Sequence, residues 1–349
     1  MKIFSRCLYA SLLGCLCSLP AAAEDYIAPA EAVTRDACLD DDLPDNAWLD
    51  RSQAYVSKSV CGVAIWFDRF FTDERDEAEN VNRYVRMINS VYWDKLDGFD
   101  GTVRLNARIE FPKFKKKLNI LLQSESDNDA TDVLSQGTDT NVGQPIKPLS
   151  VDPTQRTTVD VRWNVLQQRD SSFSLSAGLR VNPISPRLRG RYRYTHSLSE
   201  RALARFTQNL YWEYREGYGE SSRLDLERLL NKRTLLRGSV TGGTTEVSAG
   251  FEWSSDVSLF HHLDARRALA WVTWVKGASD PKYDKGSGIQ EYGTSVRLRQ
   301  NFYRPWLYFE LEPYFARRLQ DDNQFANAPG IILRLEIQFG HKIDTDDNL

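Results

Sequence analysis

Arg187, Arg189, Arg191 and Arg193 hold every second position of one short stretch, with Leu188, Gly190, Tyr192 and Tyr194 alternating with them. Successive side chains of an extended chain point to opposite faces, so this spacing predicts four guanidinium groups in a ladder on one face and an apolar strip on the other. A ladder of that kind attracts carboxylates and phosphates, because each guanidinium is permanently charged and offers paired donors. Arg180, Arg205, Arg215, Arg223, Arg237, Arg297 and Arg299 fall on the matching faces of their own segments. So do Glu110, Asp160, Glu213, Asp225, Glu227, Glu310, Glu312 and Glu336. The arginines therefore either line an anion-attracting path or pair across neighbouring strands and fill the space between them.

Other groups promise less chemistry. In Tyr194-Thr195-His196-Ser197-Leu198-Ser199 a histidine lies near two serines, but in an extended strand neither Ser197 nor Ser199 shares the face of His196. His261 and His262 are adjacent and point apart, with no third ligand evident, so no metal site is read. Gly242-Gly243 reads as a hairpin turn and not as a phosphate loop, and no cofactor is implied.

These side chains need strands to hold them. From Ile331 to Phe339 apolar residues take every odd position, and from Arg334 onward polar residues take the even ones. Asp97-Gly98-Phe99-Asp100-Gly101 turns the chain into Val103, Leu105, Ala107, Ile109 and Phe111, which oppose Arg104, Asn106, Arg108 and Glu110. Further strands are expected at 81–93, 118–123, 157–166, 173–181, 188–196, 204–215, 222–228, 235–241, 246–253, 268–275, 292–302 and 307–315. The total is about fourteen, or about twelve if 81–93 and 222–228 lie outside the wall. The faces ask for different media, which predicts an all-β, closed antiparallel transmembrane barrel with lipid outside and water or packed charge inside. Alternate connections are expected to be long, at Ser124 to Pro153, Gly277 to Gly288 and Arg317 to Pro329, and the others short. The strands around Leu259 to Arg267 fit that scheme if they extend to meet at Leu263-Asp264-Ala265-Arg266, and a faint likeness between residues 196–204 and 261–270 supports the extension. Trp163, Trp212, Trp253, Trp274, Tyr214 and Tyr292 are expected on the outer face and Trp271 on the inner one.

Residues 1–23 read as a secretory signal: Lys2 and Arg6 precede an apolar run from Cys7 to Leu19, and Ala21-Ala22-Ala23 supplies a cleavage site. Leu12-Leu13-Gly14-Cys15 offers lipidation at Cys15 as the rival reading. Export leaves Cys38 and Cys61 as each other's only partners, which predicts a disulfide ahead of the barrel. Trp48, Ser52, Tyr55, Val56, Val60, Ala64, Phe67 and Phe71 recur at helical spacing, so a short amphipathic helix is expected between Asp45 and Phe71. Residues 24–80 would then form a periplasmic cap, a strap or a plug, residues 81–340 the barrel and residues 341–349 a tail. Losing the signal lowers the net charge from −3 to −5, which argues against nucleic acid as a partner. A mean hydropathy of −0.49 suits a barrel, since half of each strand is polar.

With signal, alternating strands, outward Trp and Tyr and a last strand ending at Phe339, residues 81–339 resemble the outer-membrane β-barrel proteins of Gram-negative bacteria. Asn301-Phe302-Tyr303-Arg304-Pro305-Trp306-Leu307-Tyr308-Phe309-Glu310-Leu311-Glu312-Pro313 is similar to a segment of uncharacterised proteobacterial outer-membrane proteins. One departure is that Gly340 to Leu349 follow the terminal aromatic residue. The resemblance implies the cell outer membrane as location, outer-membrane lipid and lipopolysaccharide around the wall, and the barrel-assembly machinery as a partner in biogenesis. The expected function is a non-enzymatic narrow channel for small solutes or ions, or an envelope structural protein, its lumen lined by Arg187, Arg189, Arg191, Arg193, Arg297, Arg299, Glu310 and Glu312. The alternatives are an outer-membrane lipid hydrolase working through His196, and a soluble β-sandwich that would partition into water without detergent.

Overall fold

The structure is a computed structural model that describes residues 83–110, 118–125, 156–168, 170–181, 184–246, 250–264, 266–279, 288–302, 304, 306–320 and 322–339. The signal, Cys15, Cys38, Cys61, the expected helix at 45–71, the long loop at 124–153 beyond Glu125 and the tail at 341–349 lie outside the described residues.

Fourteen strands follow one another in the chain. They are β1 (Arg83–Asp94), β2 (Gly98–Glu110), β3 (Leu118–Glu125), β4 (Arg156–Gln167), β5 (Ser171–Arg180), β6 (Ser185–Ser199) and β7 (Ala202–Glu213). The second half comprises β8 (Gly217–Asn231), β9 (Thr234–Thr245), β10 (Phe251–Asp264), β11 (Arg267–Ser279), β12 (Gly288–Asn301), β13 (Leu307–Leu319) and β14 (Phe325–Phe339). Each strand pairs antiparallel with the next, and β1 closes on β14 from Val85↔Phe339 to Asp94↔Gly330. Closure leaves no sheet edge, so every strand finds its backbone partners within the wall, as a lipid environment demands.

Burial alternates along each strand. On β14, Ile331, Leu333 and Leu335 are exposed while Ile332, Arg334 and Glu336 are buried. The outer face repeats this with Val161 and Trp163, Leu188 and Tyr192, Leu224 and Leu226, Val296 and Phe309. An apolar belt that runs round a closed antiparallel barrel while charge is drawn inside is the arrangement of a membrane-spanning barrel and not of a sandwich, whose apolar faces meet each other.

Connections differ between the two ends. The end that carries the start of β1 and the finish of β14 has tight links such as residues 200–201, 232–233 and 265–266. At these links Asn231 Oδ1 accepts the Arg233 N–H at 2.8 Å and Asp264 Oδ1 accepts the Arg266 N–H at 2.9 Å, the usual way Asn and Asp side chains stop a strand. The opposite end carries the 126–155 connection, together with short links such as residues 95–97 and 214–216.

Several expectations are corrected. On β11, Ala268, Ala270, Val272 and Trp274 face inward and Trp271 outward, reversing the expected placement of both tryptophans. Period-two reading fails there because Ala-Leu-Ala-Trp-Val-Thr-Trp-Val is apolar in both phases. Gly242-Gly243 is no turn; both glycines lie in β9, the ring of Phe251 occupies the space a Gly242 Cβ would need, and the chain turns at Gly250 with φ +89°. The expected loop 317–329 shrinks to residues 320–324, turned by Asn323 at φ +61°, because β13 and β14 run further than their alternation suggested. Arg215 sits exposed in a turn and not on the inner wall. The strand expected at 246–253 is β10, and it does meet β11 at residues 265–266.

Candidate functional site

The inner wall divides into two arcs. On β6, Arg187 and Arg193 are buried, and Arg189 and Arg191 share their inward face. Strand pairing sets Gly178, Ser176, Ser174 and Ser172 of β5 on one side of these four residues and Glu213, Tyr211, Asn209 and Thr207 of β7 on the other. Toward the end that carries the 126–155 connection the guanidinium of Arg187 grips Asp160 of β4 with two bonds, 2.9 Å to Oδ1 and 2.6 Å to Oδ2. Arg180 donates to Glu216 and to Glu213, both at 2.8 Å. Further down, Arg162 of β4 donates to Ser176 Oγ at 3.4 Å. A small recess there is lined by Arg162, Asn164, Ser172, Ser174, Arg191 and Arg193, and its described lining holds no carboxylate. Among the described residues, the inward charges of β4 to β6 are Arg162, Arg180, Arg187, Arg189, Arg191 and Arg193, with Asp160 as their carboxylate.

The arc formed by β12, β13, β14 and β1 is balanced. Arg297 donates to Glu312 at 3.1 Å, Arg299 binds Glu310 and reaches Glu336 at 2.8 Å, and Arg334 bridges Glu310 and Glu312. Arg86 of β1 joins Glu336 at 3.2 Å across the seam. The Arg299 guanidinium also stacks on Tyr308, 4.2 Å from the ring centre. Neighbouring strands contribute opposite signs at facing positions, as with Arg299↔Glu310 and Glu310↔Arg334, which is why the charges meet. Between the two arcs, Glu227 of β8 receives Arg237 of β9 at 2.8 Å.

Above the balanced network the inner wall turns apolar: Tyr92, Val272, Trp274, Tyr314, Ala316, Ala328 and Ile332 belong to one buried cluster. A polar clasp closes it at the end that carries the 126–155 connection. Tyr314 Oη donates to Asp94, while Arg318 binds Asp94 at 2.9 Å, Glu291 at 3.1 Å and Asp97, and the Trp274 indole donates to Glu291 at 2.9 Å. Nothing local in the sequence points to this clasp, since Asp94 and Tyr314 lie 220 residues apart.

All eight wall residues singled out from sequence face inward, but they fall into different settings: Arg187 to Arg193 on the basic arc, and Arg297, Arg299, Glu310 and Glu312 in the balanced network. His196 points outward and stacks on Tyr194 at 6.2 Å between ring centres, with Ser197 on the opposite face. His261 faces outward against the Thr234 hydroxyl at 2.9 Å, and His262 faces inward. Glu110 and its neighbour Arg108 have no described side chains.

The fold and its two faces define a transmembrane β-barrel of the outer membrane. No protein-family model matches the chain. No curated protein matches its sequence either. Among solved structures it is similar to the outer membrane channel DcaP of Acinetobacter baumannii, with a TM-score of 0.44 and 9% identity over 74% of this chain and 97% of that one. It is also similar to Pseudomonas putida OprB, with 0.42 and 10% over 78% and 96%, and to the outer membrane protein OprD of Pseudomonas aeruginosa, with 0.41 and 9% over 74% and 94%.

Proposed function

We propose that the protein is a non-enzymatic outer-membrane channel whose charge-lined lumen passes small anionic solutes along the β6 arginine ladder. One observation carries this reading: among the described residues, the inner face of β4 to β6 carries six arginines and one carboxylate, with Arg180 held by Glu213 and Glu216 beyond those strands, and the β6 arginines face serines and a glycine on β5. Charge facing inward is required of any barrel, because an arginine facing mid-bilayer costs about 2 to 4 kcal/mol. On β12 to β14 the inward arginines are instead matched by carboxylates on the facing strands. The surplus raises the local concentration of oxyanions, and serine hydroxyls add neutral donors beside Arg189, Arg191 and Arg193.

The test is conductance in planar bilayers under a KCl gradient. A reversal potential favouring chloride is expected, and the triple variant Arg189→Ala, Arg191→Ala, Arg193→Ala should move it toward zero or to the cation side. A folded barrel that conducts with no anion preference would refute the reading. Lipid turnover that disappears in His196→Ala would favour the hydrolase instead.

A further inference from the structure

On the inner face of β12 to β14, Arg297, Arg299, Arg318 and Arg334 all hold carboxylates. Arg317, on the outer face of β13, holds none among the described residues. Its guanidinium donates to Tyr292 Oη at 3.1 Å and to the Phe325 carbonyl oxygen at 3.2 Å, which uses two of the five donors such a group carries. It lies 6.0 Å from the ring centre of Tyr292 and 5.9 Å from that of Phe325, and the ring centres stand 5.5 Å apart. Two aromatic side chains thus steady a permanent cation on the lipid-facing surface, close to the end of β13. A charge on that surface is least costly at the headgroup level, where an anion can meet it.

Beside Arg317 the outer wall is recessed. Strand register sets Ser255, Val275 and Tyr292 in one row that leads across β10 to β12 to Arg317. The next row toward the middle of the belt holds Val257, Thr273, Thr294 and Phe315. The two rows up to Arg317 line a recess of about 490 Å³. Its hydroxyls are committed within the wall: Thr273 donates to Thr294 Oγ1 at 3.2 Å, the Thr294 hydroxyl donates to the Val272 carbonyl at 3.0 Å, and the Trp271 indole donates to Thr294 at 2.7 Å. What the recess offers a neighbour is therefore mainly hydrocarbon.

We propose that this is a binding site for one anionic, phosphate-bearing membrane lipid, with its phosphate on Arg317 and a length of acyl chain in the recess. Charge and hydrocarbon lie in the order a lipid presents them, the cation near the strand ends and the apolar recess on the side of mid-membrane. A guanidinium with free N–H groups suits phosphate oxygens, which it can bind in pairs. An added strand is a poor occupant, because the closed wall has no edge to pair with. A soluble anion would gain nothing from the recess. The proposal rests on the outer-membrane location and is indifferent to whether the barrel conducts.

Native mass spectrometry tests this on the full-length protein, stripped of bound lipid by detergent exchange and titrated with phosphatidylglycerol. Heat-modifiable gel migration shows that each variant has folded. The wild type should retain one phosphatidylglycerol, and Arg317→Gln should weaken that binding several-fold while Arg317→Lys keeps part of it. Val275→Trp fills the recess and leaves the guanidinium in place, and it should weaken binding as well. Arg228→Gln, which removes an outward arginine of β8 near the opposite end, should change nothing. Inorganic phosphate in excess should not displace the lipid. Binding that survives Arg317→Gln, or that falls equally in Arg228→Gln, overturns the proposal. Indifference to Val275→Trp, or displacement by inorganic phosphate, overturns it too, because the site would then serve free anions and not lipid.

Discussion

The two arcs of the inner wall use the same residue and obtain different results from it. Arg299 lies between Glu310 and Glu336, so its charge is spent on the wall and the four strands are tied together. Arg189 lies between Ser176 and Tyr211, so neither adjacent strand offers it a carboxylate at the facing position. Strand neighbours decide which happens, because cross-strand partners sit about 4.5 to 5.5 Å apart while the space ahead of the side chain is wide. An arginine on the inner face is therefore no evidence of a solute path until the adjacent strands have been read.

Removing charge from each arc tests the contrast. Arg299→Ala strands Glu310 and Glu336 without their shared cation, and a buried pair broken in this way costs about 3 to 5 kcal/mol. The folded fraction in a urea titration followed by heat-modifiable migration should fall accordingly. Turning to the other face of the same region, Leu333→Arg places a charge on the outer belt of β14, one position from Arg334. It should cost about 2 to 4 kcal/mol and reduce the assembled yield in the membrane. Arg189→Ala should cost less than about 1 kcal/mol in the same titration, since no carboxylate faces it on β5 or β7, yet shift the reversal potential. Equal destabilisation by Arg299→Ala and Arg189→Ala would erase the distinction between the arcs. Glu312→Gln sharpens it: relieving Arg297 and Arg334 of one carboxylate should lend the balanced arc an anion preference, read as a small reversal-potential shift toward chloride. His196→Ala, on the outer rim, is expected to leave both migration and conductance as they are.

What could be read from the chain tracks contrast between faces. β14 and β6 alternate without ambiguity, and their inward and outward residues stand where alternation puts them. The total of fourteen also holds, including the weakly patterned β1 and β8. β11 could not be phased because both of its faces are apolar, and the reason is visible in the fold: its inner face belongs to the buried cluster. Gly242-Gly243 misled because paired glycines suit a tight turn and also suit a strand on which a neighbouring ring must lie flat. The ladder was legible as an alternation, but its setting was not, since that depends on the register that puts Ser174 of β5 and Asn209 of β7 beside it. The clasp around Asp94, Glu291 and Arg318 belongs to the same class of feature.

The pairing of β1 with β14 has a consequence for manufacture. On the side away from β2, ten successive residues of the first strand find their partners in the final fifteen described residues, so the ring stays unsealed until the last hairpin arrives. Until then both ends of the growing sheet present raw hydrogen-bonding edges to whatever lies nearby, inviting pairing with another chain. Shortening the polypeptide by that one strand should thus cost the whole vessel and not a fourteenth of it, and a cell making this protein needs something to guard the first edge while the rest is threaded into place.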